Sequence, residues 1–169
     1  DMEDFAKMEF STAPSIYREG DETTRLFKIA VNYRKPLIAG INGPALGGGL
    51  GLAAMCHLAV ASENARFGTP EIKVGIFPFV IFPLLVRAMG PRKALAMALT
   101  GEIVNAGQAL EIGLVNHVVP VGELEEKVLA LAGEVAGYSP LVLSLGLNAF
   151  NTVMDMEINK AMDYLNTIR

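Results

Sequence analysis

The stretch Asn42 to Leu52 reads NGPALGGGLGL. Three consecutive glycines behind an apolar run bring bare main chain close to a ligand, because a residue without Cβ permits positive φ and leaves its N–H directly reachable. The small apolar residues that follow suit a helix start, whose unpaired N–H groups and positive end stabilise a developing negative charge. An oxyanion-binding turn is the chemical reading of this stretch, and Glu71, placed after Pro70 just inside a later helical turn, is a candidate proton-moving carboxylate. Two other readings compete. The glycines could simply join a strand to a helix. Gly49, Gly51 and Ala54 also fit G-x-G-x-x-A with Glu71 as a ribose-binding acid. In the dinucleotide fold, however, the glycines follow the strand at once, whereas here Asn42 to Leu46 intervene and Pro44 predicts a separate turn.

The elements needed to position these groups alternate in type. Leu26, Ile29, Ala30 and Tyr33 recur at helical spacing over Asp21 to Tyr33, and Lys35-Pro36 closes that helix before a strand from Leu37 to Ile41. Leu50 to Cys56 reads as a buried helix, Leu58 to Ala61 as a buried strand and Ala65 to Phe67 as a short extended piece. Beyond them, Arg92 to Leu99 is helical, and Asn105 caps a helix running to Ile112. Gly113 ends that helix ahead of a strand over Leu114 to Val119. Leu124, Val128, Leu131, Ala132 and Val135 form one apolar stripe, and Ser139-Pro140 starts a further helix with a good cap. Together these elements indicate an α/β domain with a helical tail.

Composition bounds the partners. The chain has 169 residues, enough for one well-packed domain, with 51% hydrophobic and 19% charged residues. That apolar surplus predicts an oligomer interface or an apolar pocket. The net charge is −4 with Lys and Arg scattered, which argues against nucleic acid. Cys56 stands alone in an apolar run and reads as a buried thiol in a reducing compartment, and His57 and His117 lie in no ligand-spaced cluster, so no metal is expected. The most apolar segment, Val74 to Val86, is broken by Pro78 and Pro83 and ended by Arg87. It falls short of the roughly 20 residues that span a bilayer and reads as a core or pocket segment. Asp1, Glu3 and Asp4 are acidic where a secretory signal is basic.

Taken in order, KPLIAGINGPALGGGLGLA (Lys35 to Ala53), ASENARFGTPEIKVGIFP (Ala61 to Pro78), LVRAMG ending at Gly90 and ALTGEIVNAGQALEIGLVNHVVP (Ala98 to Pro120) resemble the crotonase family of enoyl-CoA hydratases and isomerases. The resemblance implies a crotonase-like spiral of ββα units, as in the ClpP/crotonase architecture, with a helical C-terminal region. Residues 1–120 would form the spiral core and 121–169 the helical region. It further implies a homotrimer or dimer of trimers acting on acyl-CoA thioesters, with coenzyme A entering as part of the substrate and no separate cofactor. Family members extend further at both ends, so the chain reads as an interior portion of the domain. The cytoplasm is the expected compartment, with an organellar matrix left open.

In the family the thioester oxygen lies between two main-chain N–H groups. The resemblance assigns one to Gly48 and the other to the residue before an Asp that Asp1-Met2 matches. Substrate binding is expected from Asp1 and Met2, from Ala45, Leu46, Gly47 and Gly51 around the glycine turn, and from Pro70 and Phe79. Family hydratases commonly use two glutamates. Glu71 matches the second, but the first is replaced by Gly51, which cannot transfer a proton. The departure favours double-bond isomerisation, which one acid/base can run, while single-glutamate hydration and a catalytically silent binding or assembly subunit remain alternatives. No Ser, His and acid set suggests a peptidase of the ClpP type. Phe77, Phe79, Val80, Ile81 and Phe82 replace the family's glycine-rich run, and either narrow the acyl pocket or pack into the core. His57 stands where the family often has Asp, and reads as a packing residue.

Overall fold

The computed structural model describes the backbone of residues 13–169 and the side chains of residues 22–169. Asp1 and Met2, the expected neighbours of the second oxyanion donor, lie outside the described residues. Helix α1 (Ala13–Val31) leads into strands β1 (Ile38–Ile41) and β2 (Pro44–Leu46), followed by helix α2 (Gly48–Ala54). Strands β3 (Leu58–Ser62) and β4 (Arg66–Gly68) are followed by a 3₁₀ turn (Pro70–Val74) and helices α3 (Phe82–Met89) and α4 (Pro91–Thr100). Then come β5 (Ile103–Asn105), α5 (Ala106–Glu111), β6 (His117–Val119) and the helices α6 (Leu124–Ala136), α7 (Pro140–Val153) and α8 (Ile158–Ile168).

The strands divide between two sheets. One has the order β1-β3-β6, all parallel; the other has β2-β4-β5, with β2 and β4 parallel and β5 antiparallel to β4. Each of the first two strand pairs therefore sends one strand to each sheet before the chain turns helical, which is the expected winding of ββα units. Strand β3 reads LAVAS without polar alternation because it is central in a parallel sheet and covered on both faces. The core runs from Leu50 on α2 through Val60 and Ala61 on β3 and Phe67 on β4 to Leu85 on α3, all inaccessible to solvent. Helix α6 packs on the first sheet through its predicted stripe, with Val128 so close to β1 that a side-chain carbon at Gly40 would lie 3.1 Å from it.

Four expectations need correction. The predicted turn at Pro44 is strand β2: a proline tolerates an edge position, and the N–H that it lacks is not required there. The first described helix already includes Ala13, ahead of the expected start at Asp21, and among its described side chains Phe27 and Ala30 are buried, whereas Leu26, Ile29 and, just beyond its end, Tyr33 are exposed. Val74, Ile76, Phe79 and Val80 are exposed as well, so only the later part of the Val74 to Val86 segment, including Ile81, Leu84 and Leu85, belongs to the core. Ser139 precedes α7 as predicted, yet its side chain makes no capping bond.

Asn105 does cap α5. Its side chain accepts from the Gln108 N–H at 2.9 Å, and Gln108 Oε1 accepts from the Asn105 N–H at 2.9 Å, a reciprocal capping box. Asn105→Ala removes the side-chain half of this arrangement, so a loss of about 1 kcal/mol in unfolding free energy is expected. Urea denaturation of parent and variant measures it directly. Among the described residues no single helix is long and apolar enough to cross a membrane.

Candidate active site

Strands β2 and β4 run parallel in the register Pro44 to Arg66, Ala45 to Phe67 and Leu46 to Gly68. Parallel neighbours end at the same sheet edge, so the glycine turn after β2 and the Glu71 turn after β4 emerge side by side. The Gly47 N–H donates to the Gly68 carbonyl at 3.0 Å and continues the pairing to the start of the helix. Gly68 carries no side chain because a Cβ there would come within 2.6 Å of the Glu102 carbonyl.

At this edge Gly47 adopts φ 53° and ψ −123°, a conformation open to glycine and strained for any other residue. It is also tight: a Cβ on Gly47 would stand 2.7 Å from Glu71 Oε1 and 3.1 Å from the carboxyl carbon. The carboxyl group therefore lies directly against the glycine turn. Gly48, the next residue, opens α2, and no described residue accepts a hydrogen bond from its N–H. Gly48 is exposed, and nothing lies within 4 Å of where its Cβ would be. A main-chain amide with no described acceptor, on an exposed residue, thus adjoins the residue that the carboxyl group lies against.

Glu71 is held from its own side. Thr69, fully buried, donates its hydroxyl to the Met97 carbonyl at 3.1 Å, tying the turn to α4. Pro70 occupies the first position of the 3₁₀ turn, and Gly75 closes it in the left-handed conformation at φ 80°. The Ile76 N–H donates to the Glu71 carbonyl at 3.0 Å. The Glu71 side chain itself is buried, and Oε2 has no hydrogen-bond partner. An orphaned buried carboxyl oxygen costs stability, and a catalytic role is one reason for a fold to keep it. Burial pushes the Glu71 pKa up, with its own main-chain N–H opposing the rise.

A carboxyl group whose folded pKa lies above its unfolded value of about 4.3 contributes stability below that value, and this is lost as pH rises through the folded pKa. Glu71→Gln cannot ionise. Thermal unfolding of parent and variant should therefore diverge in the variant's favour as pH rises from about 4 to about 8. Parallel melting curves across that range would show that the carboxyl group is solvated in the folded protein.

The remaining expected site residues fall in different places. Ala45 is buried in β2 and Leu46 half-buried beside it, both supporting the turn from beneath. Pro70 is half-buried next to Glu71. Phe79 is exposed on its loop, with its ring centroid 5.1 Å from that of Phe77. Gly51 does not face open space: it is buried, and a side chain there would run into Ile81 and Phe27. Sequence patterns gave no sign of that contact, which joins two distant segments, nor of the role of Thr69. His57 is a packing residue, its Nδ1 accepting from the Leu37 N–H at 2.9 Å, and burial lowers its pKa in keeping with a neutral ring. The Cys56 thiol is half-buried and donates to the Leu52 carbonyl at 3.3 Å.

The chain as a whole has counterparts among known proteins. The family model for enoyl-CoA hydratase/isomerase matches residues 2–167. The chain belongs to the enoyl-CoA hydratase/isomerase family. Within this family, the 2,3-dehydroadipyl-CoA hydratase of Escherichia coli is 41% identical over 131 residues, covering 77% of this chain and 51% of the relative. The crotonyl-CoA hydratase of Syntrophomonas wolfei is 38% identical over 160 residues, covering 94% of this chain and 62% of the relative. The crystal structure of an enoyl-CoA hydratase from Mycobacterium smegmatis superposes with a TM-score of 0.90 at 29% identity, over 96% of this chain and 63% of that one. The fold is thus that of the crotonases. The chain spans 53%, 58% and 62% of the length of three curated relatives that it matches.

Proposed function

We propose that the protein of which this chain is part acts on an acyl-CoA thioester through an enolate, with the Gly48 N–H as an oxyanion donor and Glu71 as the acid/base. The observation that carries this reading is the Glu71 carboxyl group lying against Gly47, one residue from the unpaired Gly48 N–H. Main-chain donors fixed in a turn stabilise a developing oxyanion with little reorganisation. A buried carboxyl group whose pKa burial raises holds its proton more readily than an exposed one, which suits a group that must both take and return a proton.

Double-bond isomerisation is the favoured reaction. Glu71 removes the proton at C2 of a 3-enoyl-CoA, the Gly48 N–H holds the thioester oxygen of the dienolate, and the same carboxyl group returns the proton at C4. The product is the 2-enoyl-CoA. The absence of any acid at Gly51 supports this choice over two-glutamate hydration. The names of the relatives favour a second reading, hydration assisted by Glu71 alone. Coenzyme A enters as part of the substrate, and no separate cofactor takes part. Leu129, Leu141, Val142, Leu145 and Phe150 are exposed on α6 and α7, an apolar surface in keeping with a trimer or a dimer of trimers. The cytoplasm or an organellar matrix is the proposed compartment.

The test is to incubate the full-length protein separately with 3-enoyl-CoA and 2-enoyl-CoA and to separate the products. Conversion of the 3-enoyl to the 2-enoyl thioester is expected. Failure to turn over or bind either thioester would leave a silent binding or assembly subunit as the better account.

A further inference from the structure

This inference rests on the single-carboxyl reading above. Gly51 lies one turn along α2 from Gly47, its N–H donating to the Gly47 carbonyl at 3.1 Å. Gly47 is the N-cap of α2, so Gly51 stands one turn into the helix from the residue that the carboxyl group lies against. There is no room for a side chain there. A Cβ would fall on Ile81 Cγ2 and would stand 3.0 Å from both Ile81 Cβ and Phe27 Cζ. Both neighbours are buried: Ile81 is 4% exposed and Phe27 5%. Ile81 is also backbone-anchored, since its carbonyl accepts from the Leu84 and Leu85 N–H groups at 2.9 and 3.1 Å as α3 begins.

We infer that Ile81, backed by Phe27, is a specificity-determining residue. It fills the volume into which a second proton-bearing side chain on α2 would project, and it keeps water from ordering beside Glu71. Hydration adds water across C2=C3, with hydroxyl to C3 and a proton to C2, and so needs a positioned water molecule. A double-bond shift needs only the carboxyl group. An aliphatic plug one turn from that group biases a shared enolate site toward the shift.

The test compares the full-length parent with Ile81→Ala, Gly51→Glu and the double variant, reading 3-enoyl-CoA isomerisation, 2-enoyl-CoA hydration and thermal midpoint. Ile81→Ala is expected to fold, to isomerise within about tenfold of the parent and to raise the hydration-to-isomerisation ratio at least about tenfold. Gly51→Glu alone is expected to melt well below the parent. The double variant should recover much of that loss and hydrate more than either single variant. If the glutamate proves too large for either background, Gly51→Ala serves the steric part, its drop in midpoint shrinking when Ile81 is alanine.

A parent that hydrates faster than it isomerises overturns the inference. So does a folded Ile81→Ala with the parent's product ratio, or a Gly51→Ala that costs the same with and without Ile81. Failure of the underlying reading looks different: no turnover by the parent, or turnover that survives Glu71→Gln.

Discussion

Glu71→Gln is expected to lower kcat for 3-enoyl-CoA isomerisation by about 10³, within the range that a positioned general acid/base contributes. Gln keeps the size and shape of the side chain but neither takes nor gives a proton. KM should change little, because no substrate contact is assigned to the carboxyl group apart from the proton it moves. The folded protein should be no less stable at neutral pH, since the substitution removes a buried ionisable group with an unpaired oxygen. Steady-state kinetics beside circular dichroism separates the two effects. Loss of activity with loss of fold would point to a structural role, whereas full activity in a folded variant would take Glu71 out of the mechanism. In the parent, the acidic limb of the kcat/KM profile should lie above the ordinary glutamate range, because burial raises this pKa.

Gly47→Ala is expected to damage both stability and activity, and through one atom. The added Cβ meets Glu71 Oε1 at 2.7 Å, and the backbone at φ 53° and ψ −123° strains any residue with a side chain. Strain of this kind costs about 1 to 3 kcal/mol. The larger effect is on the reaction, because the collision is relieved by moving the carboxyl group. A displacement of about 1 Å at a reacting group can cost about 10²-fold in rate. Gly49→Ala is the control: Gly49 is exposed, and nothing lies within 4 Å of its Cβ position. Equal losses in the two variants would mean that the glycine turn, and not the carboxyl contact, is what alanine disturbs. A folded Gly47→Ala with parental kcat would show that the carboxyl position is not critical.

Much of this site was legible before any coordinates. Gly-Gly-Gly announces main chain that something approaches, and a Thr-Pro-Glu run announces a carboxylate at the start of a turn. The order of the motifs indicated the family. Local signals such as the Asn105 cap, the helix stop at Gly113 and the apolar strand from Leu58 to Ala61 also read correctly, because each depends on residues that are neighbours in the chain.

What could not be read was which distant segments meet. Spacing pointed to Leu26, Ile29, Ala30 and Tyr33 as the apolar stripe of the first predicted helix; of these the fold buries only Ala30, together with Phe27, whose ring lies against a position with no side chain. The sequence by itself determined the chemical groups available: one carboxyl group, one run of bare amides, and no acid at Gly51. The tertiary structure decided that the carboxyl group stands against Gly47 and that Ile81 and Phe27 close off Gly51. The difference is physical. Residue type and local backbone preference act over a few positions, whereas parallel pairing of β2 with β4 and the packing of α1 and α3 onto α2 are non-local contacts that become defined only when the chain has folded.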